Sequence, residues 1–346
     1  MRRSIALIAG ASGHVGSQLA SLLERDGNWQ VLTLGRSAGN ANHISADLLQ
    51  DDLDLALSKA PRITHLFYSV RALHNESGEE DVVSNLLMLQ RLVGAVERQS
   101  PSLSHIHIVE GGKWYGAHLG PYKTPAHEDD PRPVKHNFYH AQEDWLRGRQ
   151  PGAQWVWTAS RPSFVCAVTP GQGRNMVSTL GAYAAICREL NTPLEYPGSE
   201  KSFRSLTEIT EGNLLAGAIH FLAAKQSAVN RAFNVTNGDY FTWADIWPSL
   251  AEFFGVDCGS PRAFSLREWA ADKEGAWSSI LARHGLKNTS LSEIASWSFA
   301  DFFIGQDYDV ASSTDRLREA GFQHEIESGK VFFSILSEYR RLRLLP

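Results

Sequence analysis

Residues Ile5–Gly16 read IALIAGASGHVG, and the reading of this stretch decides the fold. Ile5–Ala9 has the length and composition of a buried strand. The glycines that follow, Gly10, Gly13 and Gly16, mark a tight turn into a helix patterned by Val15, Leu19, Leu22 and Leu23. Gly10 permits the sharp turn, Gly13 lets backbone approach a pyrophosphate, and Gly16 lets the helix pack closely on its strand. The helix N-terminus then offers unpaired N–H groups and a partial positive charge to phosphates. Gly10, Ser12, Gly13, His14, Val15 and Gly16 are therefore candidate contacts of a dinucleotide cofactor.

Working outward, strand and helix patterns alternate. Gln30–Gly35, Ile63–Tyr68, His105–Val109 and Trp155–Ser160 read as strands; Leu48–Ser58, Asp81–Arg98 and Phe138–Arg147 read as helices. Such alternation with short links predicts an α/β fold, a doubly wound (Rossmann) parallel sheet. After Arg161-Pro162 the rhythm changes. A Gly- and Pro-containing loop, Thr169–Gly173, leads to helices predicted over Met176–Leu190, Thr207–Ala224 and Trp243–Phe254, with one strand returning near 232–236 and a helical tail from Pro261. We expect a dinucleotide-binding domain over 1–165 and a mostly helical, substrate-binding part over 166–346, with ligands in the crevice at the carboxyl ends of the strands.

The bulk properties exclude several classes. The chain of 346 residues carries a net charge of −5, which gives no basic field for nucleic acid. Cys166, Cys187 and Cys258 are odd in number and widely spaced, unlike a disulfide scaffold or zinc site and in keeping with a reducing cytoplasm. The N-terminal apolar run is consumed by the glycine motif, which argues against a signal peptide, and no run approaches the ~20 apolar residues of a membrane helix. The expectation is a cytoplasmic protein with no membrane, nucleic-acid or metal partner.

The second strand ends Leu34-Gly35-Arg36-Ser37, without the carboxylate that would accept from a ribose 2′-OH. Arg36 and Ser37 can instead hold a 2′-phosphate, so NADPH is the expected cofactor. Asp47 and Leu48 follow the short third strand, where a carboxylate can accept from the adenine amine or cap the next helix. Glu110-Gly111-Gly112-Lys113-Trp114-Tyr115 lies at the carboxyl end of the fifth strand. Tyr139 opens the next helix, but the position four later is Glu143, so the usual short-chain-dehydrogenase Tyr-x-x-x-Lys pair is broken. A phenol of pKa ~10 needs a nearby cation to share its proton readily; Lys113 can replace the missing lysine from the strand end.

At these residues the chain resembles the progesterone 5β-reductase/iridoid synthase-like enone reductases, a divergent branch of the short-chain dehydrogenases. The resemblance runs through Gly10–Gly16, Gly35-Arg36-Ser37, Ala46-Asp47-Leu48, Thr64–Val70, Asn85–Leu89 and Gly111–Tyr122. It continues through Asn137–Asp144, Arg161–Pro170, Gly181–Cys187 and Ala232–Val256. It implies NADPH-dependent reduction of a C=C bond conjugated to a carbonyl in a small-molecule enone, with Lys113 and Tyr139 catalytic and a homodimeric assembly. It also implies that Ser69, Val70, Tyr139 and Val165 touch the cofactor and that Trp114 lies in the substrate pocket. Two other readings share the fold: a nucleotide-sugar epimerase or dehydratase, disfavoured by the broken Tyr-x-x-x-Lys, and a non-catalytic NADP-sensing regulator, disfavoured by retention of Tyr139 and Lys113.

The chain departs from the family after the fourth strand, where Val-Thr-Trp is replaced by Ser69-Val70-Arg71. Arg71 either binds a carboxylate on the substrate or pairs with Glu76 or Glu79. The loop between Lys113 and Tyr139 is also shorter than in plant members. His105 and His107, on one strand face, read as satisfied sheet residues because no third ligand has suitable spacing. The tryptophans Trp155, Trp157, Trp243 and Trp247 read as core, Cys166 as a small apolar filler, and Glu128-Asp129-Asp130 as a solvated loop.

Overall fold

The computed structural model describes residues 3–37, 39–72, 79–133, 135 and 137–346. The first half runs β1 (Ser4–Ala9), α1 (His14–Asp26), β2 (Trp29–Gly35), β3 (His43–Ser45), α2 (Leu53–Leu57), β4 (His65–Tyr68), α3 (Val82–Gln99), β5 (His105–Val109), α4 (Phe138–Arg149) and β6 (Val156–Pro162). Then come β7 (Phe164–Cys166), α5 (Met176–Glu189), α6 (Glu200–Arg204), β8 (Leu206–Thr207), β9 (Ile209–Glu211), α7 (Gly212–Ala224), β10 (Arg231–Val235), β11 (Phe241–Thr242) and α8 (Trp243–Phe254). The tail holds α9 (Leu266–Trp269), α10 (Glu274–His284), α11 (Leu291–Ile294), α12 (Trp297–Ile304), α13 (Asp315–Glu319) and α14 (Ser328–Arg341).

Among the described residues a seven-stranded parallel sheet runs β10-β6-β5-β4-β1-β2-β3. Strand order reverses between β1 and β4, which opens a crevice beyond their carboxyl ends. β1 is buried on both faces, and its side chains divide with period two. Leu7 and Ala9 join Leu32, Leu66, Ile106 and Trp157 beneath α2, α3 and α4. Ala6 and Ile8 join Val31, Phe67 and Phe233 beneath α1 and α7. Each large aliphatic so buried is worth about 1.5–3 kcal/mol, so a one-residue slip of β1 would forfeit both cores at once. A third core surrounds α5, whose residues Met176–Cys187 are all buried, against α8, α10, α12 and α14. A helix apolar all round has no face to give to water.

Two predicted helices are shorter than expected. Over Leu48–Ser58, Asp47 accepts the amides of Leu49 and Gln50 and closes a separate turn. Helix α2 begins only after Asp52, which accepts from Asp54 N and Leu55 N. Over Thr207–Ala224 the β-branched opening pairs as strands, Phe241 with Thr207 and Cys166 with Glu211. Glu211 then caps α7 by accepting from Leu214 N at 2.6 Å. The run Glu128–Asp130 is not wholly solvated either. Glu128 is buried and its carboxylate accepts the Asn234 amide at 2.8 Å, tying this loop to β10.

His105 Nε2 and His107 Nδ1 share the Thr158 hydroxyl at 2.9 and 2.7 Å. Burial drives both imidazoles down, His107 to about 3, so they serve the sheet as neutral rings. Trp155, Trp157, Trp243 and Trp247 are buried, as is Cys166. Among the described residues no helix is long and apolar enough to cross a membrane.

Candidate active site

The glycine turn is built as a cradle. Gly10 has φ +87°, and a Cβ there would meet Ser69 Oγ at 2.9 Å. A Cβ on Gly16 would lie 2.3 Å from the Gly10 carbonyl oxygen, so α1 can approach β1 only with glycine at this position. Gly13 stands at the N-cap of α1 with no side-chain cap, which leaves first-turn N–H groups free for an anion. The loop after β7 leans on the same turn: Thr169 Oγ1 and His14 Nδ1 share a hydrogen bond of 2.8 Å, and Gln172 Nε2 donates to the Ser12 carbonyl.

Along the carboxyl rim lies a cavity of about 340 Å³. Its lining includes Gly13, His14, Val15, Ser69, Val70 and Val165 from the sheet and its glycine turn, then Arg71, Lys113 and Tyr139, and Arg174, Phe299, Phe302 and Phe303 from the helical part. Arg36 and Ser37 are exposed beyond β2. Leu48, by contrast, is buried in the core under the sheet, which leaves its backbone rather than its side chain to face a ligand.

Local structure explains how Tyr139 and Lys113 come to share this cavity. Asn137 caps α4, accepting from Tyr139 N and His140 N, while its Nδ2 donates to the Lys113 carbonyl at 2.6 Å. His140 completes the capping box and bonds the Trp114 carbonyl at 2.8 Å. One cap therefore fixes the start of α4 to the turn beyond β5.

The expected contact between lysine and phenol is absent. Lys113 Nζ lies 2.6 Å from Glu80 Oε1, and Arg71 reaches the same oxygen at 2.7 Å. Among the described residues no hydrogen bond joins Lys113 to Tyr139, and the Tyr139 hydroxyl has no protein partner. Burial pushes that phenol up to about 12, against the opposing pull of Arg71, so it stays protonated at neutral pH. Burial also raises Glu80, but Lys113 and Arg71 outweigh it and hold the carboxyl below its ordinary range. Lys113 itself is drawn down by burial, only partly offset by Glu80. Glu80 is thus a carboxylate partner of Arg71; Glu76 lies outside the described residues. Arg71 also stands 5.6 Å over the Phe138 ring.

Trp114 does not line the cavity. It is buried with its indole N–H donating to Glu143 at 2.9 Å, and the Arg161 guanidinium stacks 3.5 Å from its ring centroid. Arg161 is itself buried and bridges Glu110 at 2.7 Å and Glu143 at 2.6 Å. Arg147 holds the other oxygen of Glu143. The residue standing where a lysine was expected is therefore the anchor of a buried ion network. Glu110 has one oxygen buried without a partner among the described residues, and burial pushes its carboxyl up to about 8 despite Arg161.

Glu80 and Arg174 carry no motif and escape sequence reading; Arg161 opens the Arg161–Pro170 block of the resemblance, but nothing there marks its ion pairs. Glu80 is the last but one acid of a Glu-Glu-Asp run, and its partners Arg71 and Lys113 lie 9 and 33 residues away. The only available signal for Glu143 was negative, the missing lysine.

A profile described as PRISE-like Rossmann-fold domain matches residues 41–346. The chain is 32% identical to the (S)-8-oxocitronellyl enol synthase of Catharanthus roseus, over 99% of this chain and 93% of that protein. It is 32% identical, with the same coverages, to the 3-oxo-Delta(4,5)-steroid 5-beta-reductase of Arabidopsis thaliana. Among solved structures, RMD from Pseudomonas aeruginosa complexed with NADPH superposes with a TM-score of 0.67 at 16% identity, covering 98% of this chain and 99% of that one; at such identity the likeness speaks for the fold. The chain belongs to the PRISE-like family of Rossmann-fold proteins.

Proposed function

We propose that this protein uses NADPH to reduce the C=C bond of an α,β-unsaturated carbonyl compound by 1,4-addition. The observation that carries the reading is a half-buried phenol, Tyr139, lining the cavity without a protein hydrogen-bond partner among the described residues. It stands in a largely apolar cavity at the strand ends, next to the residues expected to hold a nicotinamide. The two plant relatives, named for a steroid 5β-reductase and an enol synthase, support the same chemistry.

The cradle fits the cofactor: a Cβ on Gly10 or Gly16 would collide with Ser69 or with the Gly10 carbonyl, so only glycine keeps the turn this tight, and the first turn of α1 is uncapped. Gly13, His14 and Val15 would hold the pyrophosphate, Arg36 and Ser37 the 2′-phosphate, and Ser69, Val70 and Val165 the nicotinamide. Asp47, whose Oδ1 is committed to its own turn, would offer Oδ2 to the adenine. When bound, the dihydronicotinamide supplies a hydride to the β-carbon of the enone.

Negative charge then gathers on the carbonyl oxygen, where the Tyr139 O–H donates to it; one preorganised donor of this kind is worth about 3–4 kcal/mol of barrier. Lys113 and Arg71 share one Glu80 oxygen, and both side chains line the cavity that holds Tyr139, where positive charge favours the enolate. Lys113 acts here as a positioning residue, through Glu80, rather than by touching the phenol. The α-carbon proton comes from water.

The test is Tyr139→Phe assayed with NADPH and cyclohexenone, with the product identified. The proposal expects cyclohexanone from the wild type and a loss of about a hundredfold or more in kcat for the variant, with NADP still protecting it from heat. A variant at full rate would remove Tyr139 from the chemistry.

A further inference from the structure

One charge in the cavity is left over once the enone site is assembled. Arg174 sits in the loop between β7 and α5, and its backbone is held on both sides. A Cβ on Gly173 would lie 2.2 Å from the Ser292 carbonyl oxygen, so this point of the loop is pressed against the α11 segment. Asn175, fully buried, caps α5 by accepting from Val177 N and Ser178 N, and its Nδ2 donates to the Ala167 carbonyl at 2.6 Å. Between these fixed points the Arg174 side chain turns into the cavity wall, its guanidinium 4.9 Å from the centre of the Phe299 ring.

Every other cation of the cavity wall that bears on Tyr139 has an anion. Arg71 and Lys113 meet Glu80. No carboxylate among the described residues lies within ion-pair distance of Arg174. The remaining carboxyl of the wall, Glu110, is engaged with buried Arg161. The Phe299 ring beside Arg174 belongs to an aromatic group of the cavity wall, packing on Phe303, which in turn meets Phe164 and Phe302. Arg174 remains exposed in the free chain, so its guanidinium, steadied against the Phe299 ring, is open to an anion that would take a charge-assisted, two-pronged hydrogen bond. A substrate that occupied the cavity without a negative group would cover this cation and leave it uncompensated.

Building on the enone-reductase reading, we propose that the natural substrate carries a carboxylate, separated from its enone by an apolar stretch, and that Arg174 is the residue that binds it. Arg174 thereby sets specificity: Tyr139 takes the carbonyl, the phenylalanines take the apolar stretch, and the guanidinium takes the acid. Neutral polycyclic enones lack the group this position is built to receive.

The test uses a matched pair, 8-oxonon-6-enoic acid and its methyl ester, in which a saturated chain insulates the enone from the acid. Initial rates with NADPH give kcat/KM for both compounds in the wild type, Arg174→Gln and Arg174→Lys, and NADP binding is followed by thermal shift. The wild type should favour the acid by about tenfold or more, the gain of one charge-assisted hydrogen bond. Arg174→Gln should bring the ratio close to one, and Arg174→Lys should restore part of it, with the NADP shift retained in both. Equal efficiency on acid and ester in the wild type overturns the proposal and leaves the enone-reductase reading standing. An acid preference that survives Arg174→Gln while NADP binding weakens also overturns it, and assigns Arg174 to the cofactor phosphates. If the wild type reduces neither compound nor cyclohexenone, the enone reading itself falls, and this one with it.

Discussion

Glu80 decides how the site is charged. Its carboxylate takes both Lys113 and Arg71, and with only 14% of its side chain exposed it is poorly screened. Lys113 and Arg71 overcome the opposing effect of burial and hold it below the ordinary carboxylate range. A carboxyl lowered in the folded chain stabilises that chain above its unfolded value and stops doing so as pH falls through the folded value. Thermal denaturation of the wild type should therefore lose stability below about pH 4, and Glu80→Gln should flatten that acid limb; a variant with an unchanged limb would show that Glu80 is not the group responsible. If Arg36 holds the 2′-phosphate as proposed, Arg36→Ala should raise KM for NADPH on the order of tenfold or more while leaving KM for NADH near its wild-type value. Tyr139 and Lys113 were legible from the sequence because the family resemblance covers their motifs. Their relationship was not, because the acid that captures Lys113 lies 33 residues away in sequence, and spacing carries no trace of such a contact.

Among the elements, the glycine turn and the α4 cap position everything else. Replacing Gly16 with Ala drives a methyl to 2.3 Å from the Gly10 oxygen, and neither backbone can retreat without moving β1 or α1. Overpacking of this kind costs about 3 kcal/mol, so Gly16→Ala should lower the melting temperature and abolish the stabilisation that the proposal expects from NADP. Asn137→Ala removes the α4 cap and the tether to Lys113; about 1–2 kcal/mol of stability and a disproportionate part of kcat should go with it, read from denaturation and from kinetics in parallel. The strands were read closely because each is a short apolar run between turn residues. The misreadings have a common cause. At Leu48–Ser58 and Thr207–Ala224, polar caps (Asp47, Asp52, Glu211) start or stop elements inside a stretch whose apolar spacing alone suits one helix.

The whole molecule is held at the site by charge in its interior as well as by its cores. Glu110 on the rim of β5, Arg161 on β6 and Glu143 on α4 form one buried network, with Arg147 at its outer edge. Burial pushes Glu110 up to about 8, so the folded chain holds a proton there that the unfolded chain releases above its ordinary carboxyl value. The sign follows: this stabilisation is complete below about pH 4.5 and fades as pH rises through about 8. Glu110→Gln, which keeps a neutral group in place, should lose that alkaline decline, and an identical decline in the variant would refute the assignment. The network explains why the lysine of the ordinary dehydrogenase pair is missing: its place is taken by Glu143, which the buried arginine requires. Hydride delivery to the β-carbon of an enone, with Tyr139 bonded to the carbonyl oxygen, is the claim on which the functional account stands. Reduction of cyclohexenone with NADPH deuterated at the transferring position tests it most directly. The account predicts cyclohexanone bearing deuterium on the β-carbon; deuterium on the carbonyl carbon of an allylic alcohol, or no labelled product, would contradict it.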